Sequence, residues 1–343
     1  MRRELPKEPM TTGIGSLPHH NIDAALQFAF QAGIPFLPQI PRRNPWEYMI
    51  PQALEGFPGL EIDRDTGAGT VDGTLWTSRS HVFREKLEKA FASGNFKDFE
   101  PSTAASSSWQ PFLWELAERK TGIAKIQLAG PLTSQWSLRL KDGTGIDRYP
   151  DMATEIFRLV LARAMGMSKR LQEIGVQPIL YLDEPGLYGL SPTHPKHLLG
   201  MQELKLVVLT LKKENVWVGL HCCSNTDWVR VLDLGLDIVS LDTQLSLEHL
   251  FSNGRQVAHF IQGGGKLSLG VVPTAKDSAH SSPREIMVRL IKSLTLLNDA
   301  DVARTILHES IYTPACGLAL HDPREAETIL STLLEFVTLC RTK

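Results

Sequence analysis

The sequence predicts an α/β protein folded as a single (β/α)8 barrel over residues 1–343. Short apolar runs alternate with helix-like segments through the second half of the chain, as in such barrels. Runs such as ILYLD, VWVGLHC and IVSLD are apolar on both faces, which is typical of parallel strands covered by helices. Polar residues gather where the predicted strands end, and the loops at those ends build the active sites of these barrels.

Eight segments are strand candidates because they are apolar and bounded by turn residues. They are Thr12–Leu17, Phe36–Ile40, Ala124–Ala129, Pro178–Asp183, Val216–Cys223, Ile238–Asp242, Leu267–Val272 and Ser310–Cys316. The helix candidates are Ile22–Ala32, Trp109–Lys120, Asp151–Ile174, His197–Lys213, Asp227–Leu234, Leu245–Phe260, Pro283–Asn298 and Pro323–Leu339.

Residues 42–122 interrupt this alternation. The segment contains the Gly-rich run DTGAGTVDG, a basic helical stretch from Ser80 to Ser93 and the run STAASSS. We interpret it as a lid-like insertion after the second strand that covers the mouth of the barrel. It is expected to have no hydrophobic core of its own, so the whole chain is predicted to form one domain.

Composition excludes several classes of protein. With 42% hydrophobic residues, a chain of 343 residues can bury a large core. The 36 Lys+Arg and 38 Asp+Glu residues give a net charge of −2, so nucleic acid is not an expected partner. No apolar run approaches the roughly 20 residues of a spanning helix, and no signal-peptide-like run follows the charged N-terminus. We therefore expect a cytoplasmic protein with no membrane partner.

The four cysteines are too few for a disulfide scaffold in a chain this long. His221, Cys222 and Cys223 lie at one predicted strand end, Asp242 at the next and Cys316 at the last. Imidazole, thiolate and carboxylate groups are the ligands of tetrahedral zinc sites. Alternate residues of a strand face the same side, so the spacing favours Cys223 over Cys222 as the partner of His221. The competing interpretation is a set of buried, inert cysteines.

Five short motifs give the chain a specific resemblance. TGIGS, DEPGL, HCC, VSLD and TPACGL resemble the catalytic C-terminal half of cobalamin-independent methionine synthase, a barrel in the superfamily of uroporphyrinogen decarboxylase. The resemblance implies a Zn²⁺ ion held by His221, Cys223 and Cys316, with Asp242 where that family has a Glu. The run HCCSNTDW is also similar to methyltransferases that serve corrinoid proteins, with Ser224 in place of their Gly.

The same resemblance implies the contacts of the substrate. Asp183 would bind the ammonium group of the acceptor, with Glu184 beside it and Glu47 as a second amino-group contact. The segment Ile14-Gly15-Ser16 would bind the carboxylate, and His280 would lend a proton to the departing group. From the residues alone, Glu184 can also be a helix N-cap or a loop carboxylate. The segment Ile14–Ser16 can equally be a tight turn after the first strand.

The predicted function is zinc-dependent transfer of a methyl group to a small thiol, with homocysteine as the first candidate. A thiol has a pKa near 8.5, and coordination to zinc deprotonates it. The sequence does not show the long N-terminal half of folate-using methionine synthases, so we expect a methylcorrinoid, free or protein-bound, as the donor. The alternatives are a corrinoid-protein methyltransferase with another thiol acceptor, such as coenzyme M, and a non-catalytic, zinc-stabilised binding module.

Overall fold

The structure is a computed structural model and describes residues 4–275 and 281–342. His280, the predicted proton donor, lies outside these residues. Within them, no helix is long and apolar enough to cross a membrane.

The strands form one large and one small sheet. The strands of the described residues are β1 (Met10–Thr11), β2 (Leu60–Ile62), β3 (Gly69–Val71), β4 (Ile123–Ala129), β5 (Arg139–Leu140), β6 (Gln177–Asp183), β7 (Trp217–Cys222), β8 (Ile238–Asp242), β9 (Lys266–Val272) and β10 (Ile311–Pro314). Seven of them form a parallel sheet in the order β1-β10-β9-β8-β7-β6-β4, and β2, β3 and β5 form the small sheet.

Helices connect and flank these strands. In residues 4–275 and 281–342 they are α1 (Ile22–Ala29), α2 (Met49–Ala53), α3 (Gly73–Ser93), α4 (Trp109–Glu118), α5 (Pro131–Ser137), α6 (Pro150–Glu173), α7 (Pro195–Lys213), α8 (Trp228–Leu232), α9 (Thr243–Phe251), α10 (Gly254–Gln262), α11 (Pro283–Leu294), α12 (Ala300–Glu309) and α13 (Pro323–Arg341). The predicted helix Leu245–Phe260 is two helices, α9 and α10. They separate at Ser252 and Asn253, and α10 begins at Gly254; Asn and Gly have low helix propensity. Helix α12 was not predicted.

The prediction of eight regular strands in a closed barrel is wrong. Within the described residues the sheet has seven strands, and its first strand is Met10–Thr11 where Thr12–Leu17 was predicted. The predicted strand Phe36–Ile40 makes only isolated parallel bridges. Leu37 N donates to Lys125 O (2.9 Å) and Gln39 N donates to Gly15 O (3.0 Å), so the segment still contacts both edges of the sheet. The cause is the sequence IPFLPQIP, because proline has no N–H to donate to a sheet.

The two faces of the large sheet differ in chemistry. The outward side chains, among them Leu220, Cys222 and Leu241, belong to the main hydrophobic core between the sheet and the helices. A second, smaller apolar cluster includes Ile179, Tyr181 and Ile238, which face the inside of the curled sheet. Polar residues lie above this cluster, toward the carboxyl ends of the strands.

The segment 42–122 packs against the flank of α6. Helix α3 contributes Arg84, whose guanidinium lies 3.1 Å from a carboxylate oxygen of Asp151 and 3.2 Å from one of Glu155. Phe57 and Trp76 stack with ring centroids 5.0 Å apart and join the main hydrophobic core. That this segment covers the mouth of the barrel stays a prediction.

Candidate active site

Three polar side chains lie side by side at the carboxyl ends of the central strands. Asp183 of β6 pairs in register with His221 of β7, which pairs with Ser240 of β8. Residues in register on parallel strands project from the same face of a sheet. The strands therefore bring together Asp183 and His221, which the sequence predicted separately, on the inner face.

The two ring nitrogens of His221 have different surroundings. Its Nδ1 lies 2.9 Å from the hydroxyl of Ser240, which fixes the plane of the ring. Its Nε2 is buried and has no hydrogen-bond partner within residues 4–275 and 281–342. A buried polar atom without a partner is costly, and metal-binding histidines commonly have their other nitrogen held in this way.

Cys223 and Cys316 are neighbours although they follow different strands. Interaction with Cys316, and next with His221, lowers the pKa of the Cys223 thiol. The pKa of Cys316 is raised, first by Cys223 and then by burial. The structure thus brings these predicted ligands into one cluster with His221.

Cys222 faces the opposite side of β7, as the strand spacing predicted. Its side chain is fully buried in the main core, and its thiol donates to Ser224 O at 3.1 Å. Burial raises the pKa of this thiol to about 12, so it stays protonated at neutral pH.

Asp242, the last predicted ligand, is the N-cap of α9. Its Oδ1 accepts hydrogen bonds from Gln244 N (2.8 Å) and Leu245 N (3.4 Å). Burial raises the pKa of Asp242, the charge of Cys223 raises it further, and the charge of His221 lowers it. The carboxylate of Asp242 is therefore close to the cluster. Only the second oxygen is available to a metal.

The donor chemistry of this cluster fits zinc. Two thiols and an imidazole are typical zinc ligands, and the buried Nε2 of His221 lacks a partner. Nevertheless, among the residues that the structure describes, no three His, Cys, Asp or Glu side chains are placed so that they could hold a metal ion.

Asp183 is a buried carboxylate with an unpaired oxygen. Its Oδ1 has no hydrogen-bond partner in the described part of the chain, and the side chain is 6% exposed. Burial raises its pKa, while the charges of Lys125 and His221 lower it. Such an oxygen is ready to accept a hydrogen bond from a cationic group of a ligand.

The loop Ile14–Ser16 has an unusual backbone. Gly15 has a φ of +143°, and a Cβ there would lie 2.5 Å from Gln127 Nε2, so only glycine fits. Ser16 O accepts from Leu318 N at 2.7 Å, which joins this loop to the loop that carries Cys316. No carbonyl among the described residues accepts from the N–H of Gly15 or Ser16. These donors are therefore available to an anion.

Glu184 and Glu47 are carboxylates with structural partners. Glu184 accepts from Leu132 N (3.0 Å) and Thr133 N (2.6 Å) in the first turn of α5. Glu184 therefore caps α5 from a neighbouring segment, whereas at the N-cap of the short 3-10 helix that follows it the side chain makes no capping hydrogen bond. Glu47 is fully buried and accepts from Ile40 N at 3.0 Å and from the hydroxyl of Ser107 at 2.6 Å. Both oxygens of each residue are occupied, so a direct substrate contact for either stays a prediction without support.

Sequence reasoning missed Lys125 and Gln127 on β4. Both are buried inside the curled sheet, 1% and 0% exposed. Their signal was present in the run IAKIQLA, where two polar residues occupy alternate, inward positions of an apolar strand. Lys and Gln are rarely fully buried, so such positions indicate a special environment.

Comparisons with known proteins identify no family. No family model matches the chain, and no curated protein matches it. Among solved structures, the chain is similar to a B12-independent methionine synthase from Shewanella sp. W3-18-1 in complex with selenomethionine. The sequences are 18% identical, 67% of each chain is covered, and the TM-score is 0.49. At these values the likeness assigns no function to this chain.

Proposed function

We propose that this protein transfers a methyl group to the sulfur of a small amino-acid thiol, with homocysteine as the first candidate, and that it requires zinc. One observation carries the proposal: His221, Cys223 and Cys316 cluster at the carboxyl ends of separate strands, and His221 Nε2 is buried without a partner among the described residues. Active sites of parallel barrels lie at this end of the strands.

The residues of the cluster would divide the work of holding the metal. His221, Cys223 and Cys316 would bind zinc, and the free oxygen of Asp242 would complete the set. When bound, zinc would supply Lewis-acid chemistry that deprotonates the acceptor thiol. Ser240 contacts the imidazole at Nδ1, which leaves Nε2 as the nitrogen that would bind the metal.

The neighbouring groups fit the two charged ends of an amino acid. The unpaired Oδ1 of Asp183 would accept a hydrogen bond from the ammonium group. The N–H groups of Gly15 and Ser16 would receive the carboxylate. Because Leu318 N binds Ser16 O, the carboxylate loop is attached to the loop of Cys316. A thiol that is also an amino acid would use all three parts of the site.

The first experiment measures zinc in three forms of the protein. We expect about one zinc per chain in the wild type and a loss of most of it in Cys223→Ser. Cys222→Ser is the matched control, because it removes the adjacent thiol from the opposite face of β7. Equal zinc in both variants would reject Cys223 as a ligand, and a metal-free wild type would reject the zinc requirement.

The second experiment measures methyl transfer. Zinc-loaded protein is given methylcobalamin or a methyl-folate as donor and homocysteine or coenzyme M as acceptor. We propose a methylcorrinoid as the donor and expect turnover with methylcobalamin and homocysteine. Turnover with coenzyme M alone would assign another acceptor. Zinc binding without turnover for any pair would favour a non-catalytic binding module.

A further inference from the structure

Lys125 is a buried lysine inside the curled sheet, directly below the candidate active site. Its ammonium group donates to the backbone oxygen of Ile14 and to Gln127 Oε1 at 3.1 Å. It also lies 4.8 Å from the centre of the Tyr181 ring, a favourable position for a cation. The group therefore has specific partners on the substrate side of the barrel interior.

The contact with Ile14 fixes the direction of a backbone donor. In a trans peptide, the C=O of one residue and the N–H of the next point in opposite directions. Lys125 holds the Ile14 carbonyl toward itself, so the N–H of Gly15 points away from Lys125. In the next peptide, Gln39 N holds Gly15 O (3.0 Å), so the N–H of Ser16 points away from Gln39.

Gln127 supports this arrangement from the same strand. Its Nε2 donates to Leu37 O at 2.9 Å, and its Oε1 accepts from Lys125. The side chain lies where a Cβ on Gly15 would be, so it packs directly against the loop backbone. Lys125 and Gln127 thus contact consecutive residues of the loop from below.

Lys125 also acts on Asp183. Burial lowers the pKa of Lys125 to about 8, and the charge of Asp183 acts in the opposite direction and raises it. The Lys125 ammonium group therefore contacts the loop that is proposed to bind the substrate carboxylate. The charge of Asp183, which is proposed to bind the substrate ammonium group, also acts on Lys125.

We propose that Lys125 is a positioning residue that makes the site specific for amino-acid thiols. Through its contact with the Ile14 carbonyl, it orients the N–H of Gly15 so that this donor is available to the substrate carboxylate. Lys125 itself does not touch the substrate. This inference rests on the proposed function and names the substrate class that the site selects.

The test compares Lys125→Met with a matched control. Lys266 is also buried in the sheet, in β9, but pairs with Glu309 (3.0 Å) at the opposite, amino end of the strands. Lys266→Met therefore removes a buried lysine without touching the site. Both zinc-loaded variants are assayed with homocysteine, with 4-mercaptobutanoate, which lacks the ammonium group, and with 1-propanethiol, which lacks both charges.

We expect Lys125→Met to raise KM for homocysteine about ten- to hundredfold, because the N–H that faces the carboxylate is no longer held. KM for 4-mercaptobutanoate should rise as well, whereas kcat and the KM for 1-propanethiol should stay within about threefold. Lys266→Met should lower Tm and leave every KM unchanged. An equal change for all three thiols in Lys125→Met, or no change for any, would overturn the inference.

Two further measurements keep the inference separate from the proposed function. Calorimetry measures homocysteine binding to zinc-loaded protein without a methyl donor. If the wild type binds homocysteine but transfers no methyl group, methyl transfer is rejected, and weaker binding by Lys125→Met still supports the role of Lys125. If the wild type does not bind homocysteine, the role of Lys125 is rejected as well.

Should Lys125→Met not fold, Gln127→Leu must show the same selective rise in KM, and an unselective effect would reject the inference.

Discussion

The two ends of the large sheet treat buried ionisable groups differently. At the amino end, Lys266 pairs with Glu309, and Asp237 pairs with Lys212 at 3.0 Å and accepts from Val218 N at 3.0 Å. At the carboxyl end, Asp183 Oδ1 and His221 Nε2 are just as buried, and neither atom has a hydrogen-bond partner among the described residues.

This difference separates stability from function within one sheet. Paired groups at the amino end hold strands together, whereas an unpaired buried atom costs stability unless a ligand satisfies it. A ligand that pairs with such atoms would offset this cost, and the carboxyl ends of parallel strands are where barrel proteins bind ligands. Substitutions at the amino end should therefore lower stability, whereas substitutions at the carboxyl end should lower activity.

The largest effect is expected from Asp183→Asn. The variant removes the charge that would bind the ammonium group of the acceptor, and such a charge-assisted hydrogen bond contributes about 1.5–3 kcal/mol. We expect kcat/KM for homocysteine to fall about ten- to hundredfold or more. The value for coenzyme M, which has no amino group, should stay nearly constant. An equal loss for both acceptors would mean that Asp183 shapes the site without recognising the amino group.

Asp237→Asn is the matching change at the amino end. It removes the charge partner of Lys212 at a position that is 6% exposed, as Asp183 is. We expect the free energy of unfolding to fall by about 2 kcal/mol, measured by urea denaturation, with kcat/KM for homocysteine unchanged. A loss of activity in the folded variant would break the division between the two ends.

The pH dependence of the free energy of unfolding shows how burial of Glu184 at the carboxyl end affects stability. Burial raises the pKa of Glu184 to about 7, above its ordinary value of 4.5. Between these two pH values the folded state binds more protons than the unfolded state. The stabilisation that comes from protonated Glu184 is therefore complete below about pH 4.5 and is lost as the pH rises through 7. From pH 5 to pH 7 the wild type should lose about 2 kcal/mol relative to Glu184→Gln. A difference between the two proteins that does not change with pH would contradict this.

Much of this arrangement could be predicted from the sequence because strands carry a simple pattern. The bounds of β8, Ile238–Asp242, follow directly from an apolar run that ends in an acid. The separation of Cys223 from Cys222 follows from the two-residue period of a strand. In contrast, the prolines of IPFLPQIP were not recognised as incompatible with a regular strand, although Pro has no N–H.

Roles that depend on tertiary contacts could not be predicted. Glu184 and Asp242 lie at strand ends like Asp183, but each caps a helix, and only the fold shows which backbone N–H groups they meet. Lys125 contacts Ile14, which is far away in the sequence, and no local pattern encodes that contact. Charge and position along a strand thus locate the site, whereas the hydrogen-bond partners assign each role.

The smallest effect we predict concerns Ser240 of β8, whose hydroxyl contacts His221 of the proposed metal site. Its hydroxyl holds Nδ1 of His221 and so keeps Nε2 directed at the proposed metal. Ser240→Ala should retain the fold but weaken zinc binding about tenfold, measured by competition with a chelator, since partners of metal-binding histidines typically contribute at least this much. Ser168→Ala is the control, because Ser168 is a buried serine on α6 whose hydroxyl has no hydrogen-bond partner in the described residues. If both variants hold zinc as tightly as the wild type, the orientation of His221 does not depend on Ser240. The carboxyl end would then position the proposed metal ligands through packing alone.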